Sequence, residues 1–312
     1  MSSDLAKMIV VGVDGSEDAL QALEYLGLLY GARPSLKVVL LHVVPTLPQI
    51  LVAAADRPSK LRLLNVEKKS TQMAERLLTE AKGVLLKKGF KDHQVLLLNL
   101  KKKIDTARDI CNLAVDKRAD SVLIGAKGRS RLKAFFSGEV TNKMLAYCRV
   151  CPLWIVESGV RSKRVLIAVD SSENALRAVD HAAYMLAGSD CQVTLFHSKR
   201  HLRRFLPQEI IEAAPELEEL WKNKAGEQIA PQMKKAKEML LKAGIPESQL
   251  KTRVVDGTRD AASDILKEAR SGDYGTIVLG RRGRSGVKEF FMGSVTSKVL
   301  QGGSGMAVWL VH

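Results

Sequence analysis

The sequence predicts an α/β fold: two repeated, doubly wound domains, each with a five-stranded parallel sheet in the order 3-2-1-4-5. Three observations carry this. At about 150 residues per domain, 312 residues suggest two domains. Laid on itself at a shift of 155–156, the chain matches from its first strand to its last. Within each half, apolar runs of strand length alternate with longer amphipathic stretches, the signature of βαβ units with right-handed crossovers. The domains are expected at 1–158 and 159–312, joined by a short polar linker around Ser158–Lys163.

In the first half the strands are expected at 8–13, 37–44, 94–100, 120–125 and 152–157. In the second they fall at 164–169, 192–197, 250–255, 275–280 and 306–311. Most are continuous apolar runs, as in strands covered on both faces. Helical periodicity covers Ala19–Tyr30, Lys68–Lys88 and Thr106–Arg118, then Ala175–Leu186, Glu216–Leu241 and Ala261–Ala269. Ser16 and Ser172 are suited to cap the first helix of each half. Gly89 and Gly244 close the long second helices. Between 125–143 and 280–298, 11 of 19 positions are identical, which makes the loop after the fourth strand the best-preserved part of the repeat.

Composition excludes several classes. Apolar residues make up 46% and charged residues 27%, ordinary for a folded chain. The longest apolar stretch, near 41–55, is broken by Pro45 and Pro48, so no membrane span is expected. The first seven residues lack a basic region followed by an apolar core, and four cysteines do not make a disulfide scaffold, so a cytoplasmic protein is expected. The net charge is +15, divided +10 (25 − 15) before Val156 and +5 (24 − 19) after it. Such an excess suits a polyanion, whether nucleic acid, an acidic protein or a phosphorylated small molecule, or simply a solvated lysine-rich surface.

In a 3-2-1-4-5 sheet the chain reverses direction between strands 1 and 4, and ligands bind beyond the carboxyl ends of those strands. Strand 1 ends in Asp14 or Asp170. Strand 4 of the second half runs into Gly280-Arg281-Arg282-Gly283-Arg284-Ser285, and Gly293-Ser294-Val295-Thr296 opens the last helix. Glycines let backbone N–H groups approach an anion, and a helix N-terminus favours one. Ser294 adds a donor, while Arg281, Arg284 and Lys288 add charge. Asp170 is placed to accept ribose hydroxyls or to help hold Mg²⁺. The same glycines also serve as plain strand–helix turns. No P-loop and no Gly-x-Gly-x-x-Gly after strand 1 occur, which argues against a P-loop NTPase and a standard NAD enzyme.

In these residues the chain resembles the universal stress protein family in a tandem two-domain form, over essentially all its length. That family has a Rossmann-like, adenine nucleotide alpha-hydrolase-like fold. Its ATP-binding members carry Gly-x2-Gly-x9-Gly-Ser/Thr after strand 4, and Gly280, Gly283, Gly293 and Ser294 match every element. The resemblance implies ATP (or AMP or ADP) as cofactor, with or without Mg²⁺. Asp170 with Ala168 and Val169 would contact adenine and ribose, and the Ser198 backbone would read adenine. Gly280, Arg281, Gly283, Arg284, Gly293, Ser294, Val295 and Thr296 would surround the phosphates. It also implies antiparallel pairing of the two domains through 152–157 and 306–311, and leaves a homodimer open.

The first half departs from the motif. Its corresponding residues are Val13, Asp14, Val43, Gly125, Gly128, Arg129, Gly138, Glu139 and Val140. Glu139 stands where Ser or Thr is required. Two unit charges at 4 Å repel by about 4 kcal/mol at an effective dielectric of 20, so this half is expected to bind ATP weakly or not at all, with the Glu139 carboxylate lodged in the anion nest. Lys127, Arg129 and Lys133 offset part of that repulsion, and the alternative is that Glu139 swings into solvent.

Remaining signals are weaker. Cys148-x-x-Cys151 lacks two further ligands for zinc and follows a helix, so buried thiols are expected. His42 and His197 read as core histidines, and Phe135-Phe136 and Phe290-Phe291 as packing for the loops. Arg200–Phe205 is basic and part aromatic, suited to phosphates, nucleic acid or solvent, and Lys101–Lys103 reads as an exposed loop. No nucleophile–base pair, metal cluster or paired carboxylates stand out. A regulatory ATP-binding protein is therefore the leading reading, with at most weak ATP hydrolysis or autophosphorylation. An ATP-dependent transferase or ligase and a nucleic-acid-associated protein are the alternatives.

Overall fold

A computed structural model describes residues 7–31, 33, 36–54, 56–126, 139–258, 260–282 and 292–312. The chain divides into two compact units, Met1–Ser158 and Gly159–His312. In unit 1 the elements run β1 (Lys7–Gly12), α1 (Glu17–Tyr30), β2 (Leu36–Val44), α2 (Gln49–Ala54), α3 (Arg57–Lys87), β3 (Val95–Lys101), α4 (Thr106–Asp116), β4 (Ser121–Ala126), α5 (Glu139–Tyr147) and β5 (Leu153–Glu157). Unit 2 repeats them as β6 (Arg164–Ala168), α6 (Glu173–Leu186), β7 (Gln192–Lys199), α7 (Gln208–Ala213), α8 (Pro215–Lys242), β8 (Leu250–Asp256), α9 (Ala261–Ser271), β9 (Thr276–Gly280), α10 (Ser294–Gly302) and β10 (Ala307–Val311).

Each unit holds a parallel five-stranded sheet in the predicted order, β3-β2-β1-β4-β5 and β8-β7-β6-β9-β10. The strands are Val-, Ile- and Leu-rich because helices cover both faces. Ile9, Val10 and Val11 on β1, and Val165, Leu166 and Ile167 on β6, are wholly buried. Trp154 and Trp309 fill equivalent positions on β5 and β10. Tyr30 stacks on the first at 6.5 Å, and His181 meets the edge of the second at 5.9 Å. Burial pushes the His181 imidazole down to about 3, so it is neutral.

Helix starts follow local chemistry. Ser16, Asp56, Asp105, Ser172 and Asp260 each accept a first-turn N–H of α1, α3, α4, α6 and α9. The third helix begins eleven residues before the expected Lys68, because Asp56 caps it and Pro58 sits in its first turn, where no N–H is needed. Gly89 and Gly244 end the long helices with φ of 95° and 91°, a left-handed conformation that suits glycine. No helix among the described residues is long and apolar enough to cross a membrane.

Candidate nucleotide site

The site is built where β6 and β9 end. Val169 leaves β6 with both backbone groups engaged: its N–H bonds the Phe196 carbonyl at 2.8 Å, and its carbonyl accepts from His197 Nδ1 at 2.6 Å. His42 and Val13 repeat the second contact at 2.7 Å. A carbonyl only accepts, so each imidazole carries its proton on Nδ1. These half-buried histidines are therefore clamps that fix the strand-1 aspartates. Asp170 Oδ1 accepts from the Ser172 N–H at 2.9 Å and from its hydroxyl, as Asp14 does from Ser16. Oδ2 of each has no partner among the described residues and remains open to a ligand.

Gly280 ends β9 against the first turn of α6. A Cβ there would lie 2.8 Å from the Asn174 backbone, and one on Gly125 would lie 2.2 Å from the Asp18 carbonyl. The first motif glycine thus answers to helix–strand packing as well as to any anion. Asn174 Nδ2 then donates to the Arg282 carbonyl at 3.2 Å, and the Gly293 N–H donates to the Arg281 carbonyl at 3.0 Å. Buried Thr296 donates its hydroxyl to the Gly280 carbonyl at 3.1 Å. The two ends of the glycine loop are in this way tied together. Asn174 was not singled out from the sequence; its first-half counterpart, Asp18, lacks the amide donor.

Gly293 supplies no side-chain cap to α10, in contrast to the five side-chain-capped helices. The N–H groups of Ser294, Val295 and Thr296 have no partner among the described residues, and Ser294 is exposed beside them. Open N–H groups at a helix start are an anion site by geometry and dipole. Gly128, Arg129, Gly138, Gly283 and Arg284, with Lys127, Lys133, Lys288 and the four loop phenylalanines, lie outside the described residues. Arg281 is described and buried, with one guanidinium nitrogen 3.2 Å from His312 Nε2. Its charge faces that ring, whereas the sequence reading put it on the phosphates.

At the opposite end of the cleft, Ser198 on β7 donates its hydroxyl to Asp264 Oδ2 at 2.5 Å. Asp264, buried in the first turn of α9, also accepts the Thr258 hydroxyl at 2.6 Å and its N–H at 3.2 Å. Gly257 closes this corner, since a Cβ would fall 2.2 Å from the Lys199 carbonyl. With its proton committed to Asp264, Ser198 can meet a base only through its backbone or its hydroxyl lone pairs. Asp109 holds the equivalent place in unit 1 but receives backbone N–H groups alone, from Lys103 and Ile104, because Val43 replaces the serine. Neither aspartate was singled out from the sequence; an acid inside the apolar stripe of a helix, repeated at the 155-residue shift, is the signal that could have found the pair. Beyond Gly257 a shallow depression is lined by Lys199, His201, Glu218, Trp221 and Lys222 among others. There Trp221 pins the Arg200 carbonyl at 2.6 Å and packs on Phe205, so part of the basic stretch is fixed in place.

Unit 1 departs at α5. The Glu139 carboxylate is 80% exposed and bonds Lys143 Nζ at 2.6 Å, one turn along the helix. That bond holds its pKa below the ordinary carboxylate range, so it stays charged. The expected lodging in the anion nest gives way to an i,i+4 pair, which the helix supplies locally. Lys298, the counterpart of Lys143, lacks such a neighbour and reaches Asp260 at the cap of α9, 3.3 Å away. Cys111, Cys148, Cys151 and Cys191 are all buried thiols. No group of three or more metal-ligating side chains occurs among the described residues.

Two parallel 3-2-1-4-5 sheets, each with its open end between strands 1 and 4, define a tandem, doubly wound α/β protein. The sequence profile described as the universal stress protein family matches residues 6–157 and again 161–311, and the chain belongs to that family. It is 26% identical over 147 residues to universal stress protein YxiE of Bacillus subtilis (strain 168), spanning 44% of this chain and 91% of YxiE. The crystal structure of a universal stress protein from Archaeoglobus fulgidus DSM 4304 superposes with a TM-score of 0.63 at 18% identity, covering 99% of this chain and 98% of that one. A putative universal stress protein from Pseudomonas aeruginosa UCBPP-PA14 gives 0.54 at 17%, covering 98% and 92%. At those identities the two structures speak to fold alone.

Proposed function

We propose that unit 2 binds an adenine nucleotide, ATP in the first instance, and that occupancy regulates what the protein does with its partners. The phosphates lie at the start of α10 on the N–H groups of Ser294, Val295 and Thr296, with Gly280, Gly283, Gly293 and Arg284 around them. The ribose lies at Asp170, and the base against Ala168, Val169 and the Ser198 backbone. The observation that carries this reading is the uncapped first turn of α10, held beside the glycine loop by the Thr296, Gly293 and Asn174 bonds. Bound ATP would supply a triphosphate to which Mg²⁺ binds. The single open oxygen of Asp170 fits such an ion, which commonly takes one or two carboxylates plus phosphates.

A regulatory role accords with the serine hydroxyls at the site, Ser172 on Asp170 and Ser198 on Asp264, each spent as a donor that fixes a carboxylate. Unit 1 is the weak or empty half, since Glu139 keeps its charge at the N-terminus of α5. The test is to count nucleotide on the freshly purified chain, then on Ser294→Glu and Glu139→Ser. The expected counts are about one, zero and two per chain. Unchanged stoichiometry in both variants would show that the phosphates lie elsewhere.

A further inference from the structure

The start of α3 and the stretch that leads from α7 into α8 carry opposite charge, mixed on both with exposed apolar side chains, and the acidic stretch of unit 2 is bracketed by Arg200, Arg203 and Arg204 before it and by Lys222 and Lys224 after it. In unit 1 the first 17 residues of α3, 57–73, hold five bases and one acid, 5 − 1 = +4. Lys60, Arg62, Lys68 and Lys69 are exposed there, and none has an acidic partner among the described residues. Ile50, Leu61, Leu64 and Met73 stand 76, 64, 61 and 64% exposed around them. In unit 2 the 17 residues between Arg204 and Lys222 hold five acids and no base, 0 − 5 = −5. Glu209, Glu212, Glu216 and Glu219 are exposed without a cationic partner among the described residues, and only Glu218 is paired, with Lys222 and His201. Phe205, Ile210 and Leu220 are 53, 48 and 55% exposed beside them.

We propose that these surfaces dock on each other between copies: the basic, apolar start of α3 in one molecule seats against the acidic, apolar α7–α8 segment of a second copy of this chain. Exposed apolar groups of this number mark an interaction surface, and complementary charge sets its partner and orientation. The occupant is argued from the chain itself. An anionic membrane or a nucleic acid would satisfy the basic segment alone, whereas a second copy satisfies both. Self-pairing of like segments is ruled out by their own charge, so the contact joins unit 1 to unit 2.

Sedimentation of the full chain at about 100 µM and low salt tests this, with two triple variants of exposed residues whose folding is checked by circular dichroism. Lys60→Glu/Arg62→Glu/Lys68→Glu makes both segments acidic; Glu212→Lys/Glu216→Lys/Glu219→Lys makes both basic. The natural chain is expected to self-associate and to weaken about tenfold or more as salt rises from about 0.05 to 0.5 M. Each variant alone is expected to lose association by about a hundredfold, and an equimolar mixture of the two to regain it within about tenfold. A natural chain that stays monomeric overturns the proposal, whether or not it binds anionic vesicles. So does association that survives both reversals, or a mixture that remains apart.

Discussion

Replacing Gly280 by alanine separates the two roles of the first motif glycine. The added Cβ would stand 2.8 Å from both Asn174 C and Asn174 O and 3.1 Å from the Ala175 N. Ordinary contact begins near 3.4 Å, so the end of β9 and the start of α6 must part by about 0.6 Å. The obstacle is backbone on both sides, with no flexible side chain to give way. Overpacking of this kind costs about 1–3 kcal/mol, or a fall of roughly 2–12 °C in the melting of a domain of this size. The same motion pulls Asn174 off the Arg282 carbonyl, just beyond the end of β9. Calorimetry of nucleotide-free protein, which resolves units that melt separately, should show one transition lowered and the other unmoved. Gly226→Ala is the internal control. It lies inside α8 with open space around its Cβ, so it should stabilise by about 0.5–1 kcal/mol through helix propensity. An unmoved transition in Gly280→Ala, with nucleotide retention lost, would refute the packing argument and leave the glycine to the ligand alone.

Asp264→Ala should destabilise unit 2 by about 2–4 kcal/mol in urea unfolding, since the Ser198 and Thr258 hydroxyls lose a charged acceptor. It should also weaken base recognition more than phosphate binding, and equal losses for ATP and inorganic triphosphate would contradict that role. Asp120 has its carboxyl pushed above the usual range by burial, against the opposing bond from the Met8 N–H and the nearby Lys7. A carboxyl raised in the folded state stabilises at low pH, and that contribution is lost as pH climbs through the folded value. Asp120→Asn should therefore match or exceed the natural chain at pH 7, by up to about 1 kcal/mol, and its advantage should vanish near pH 3; a deficit at pH 7 would reverse the sign. The hydrogen bond with the Cys148 thiol and then burial push Cys111 up, and burial with Cys148 pushes Cys151 up to about 12. A thiol reagent at pH 8 should find none of the four cysteines in the native protein and all four after unfolding. Fast labelling of one native thiol would show that its burial is breached.

The sequence alone was enough for the duplicated parallel sheets, the capping serines, the terminal glycines of the long helices and the place of the glycine loop. Those features are carried by short-range patterns and by a repeat at constant spacing, which a one-dimensional reading can detect. The early start of α3 was written there too, in Asp56 and Pro58, but Pro58 reads equally well as a breaker. What only the tertiary structure decided is which groups near the site are still free. Arg281 looked like a phosphate ligand and lies buried toward His312. Thr296 spends its hydroxyl on Gly280, and Glu139 turns to Lys143. Ser198 finds Asp264 across 66 positions, and Asn174 finds Arg282 across 108. These contacts are set by sheet register and helix packing, which bring together residues that share no local pattern. Hydrogen bonding is short-ranged in space but blind to separation along the chain.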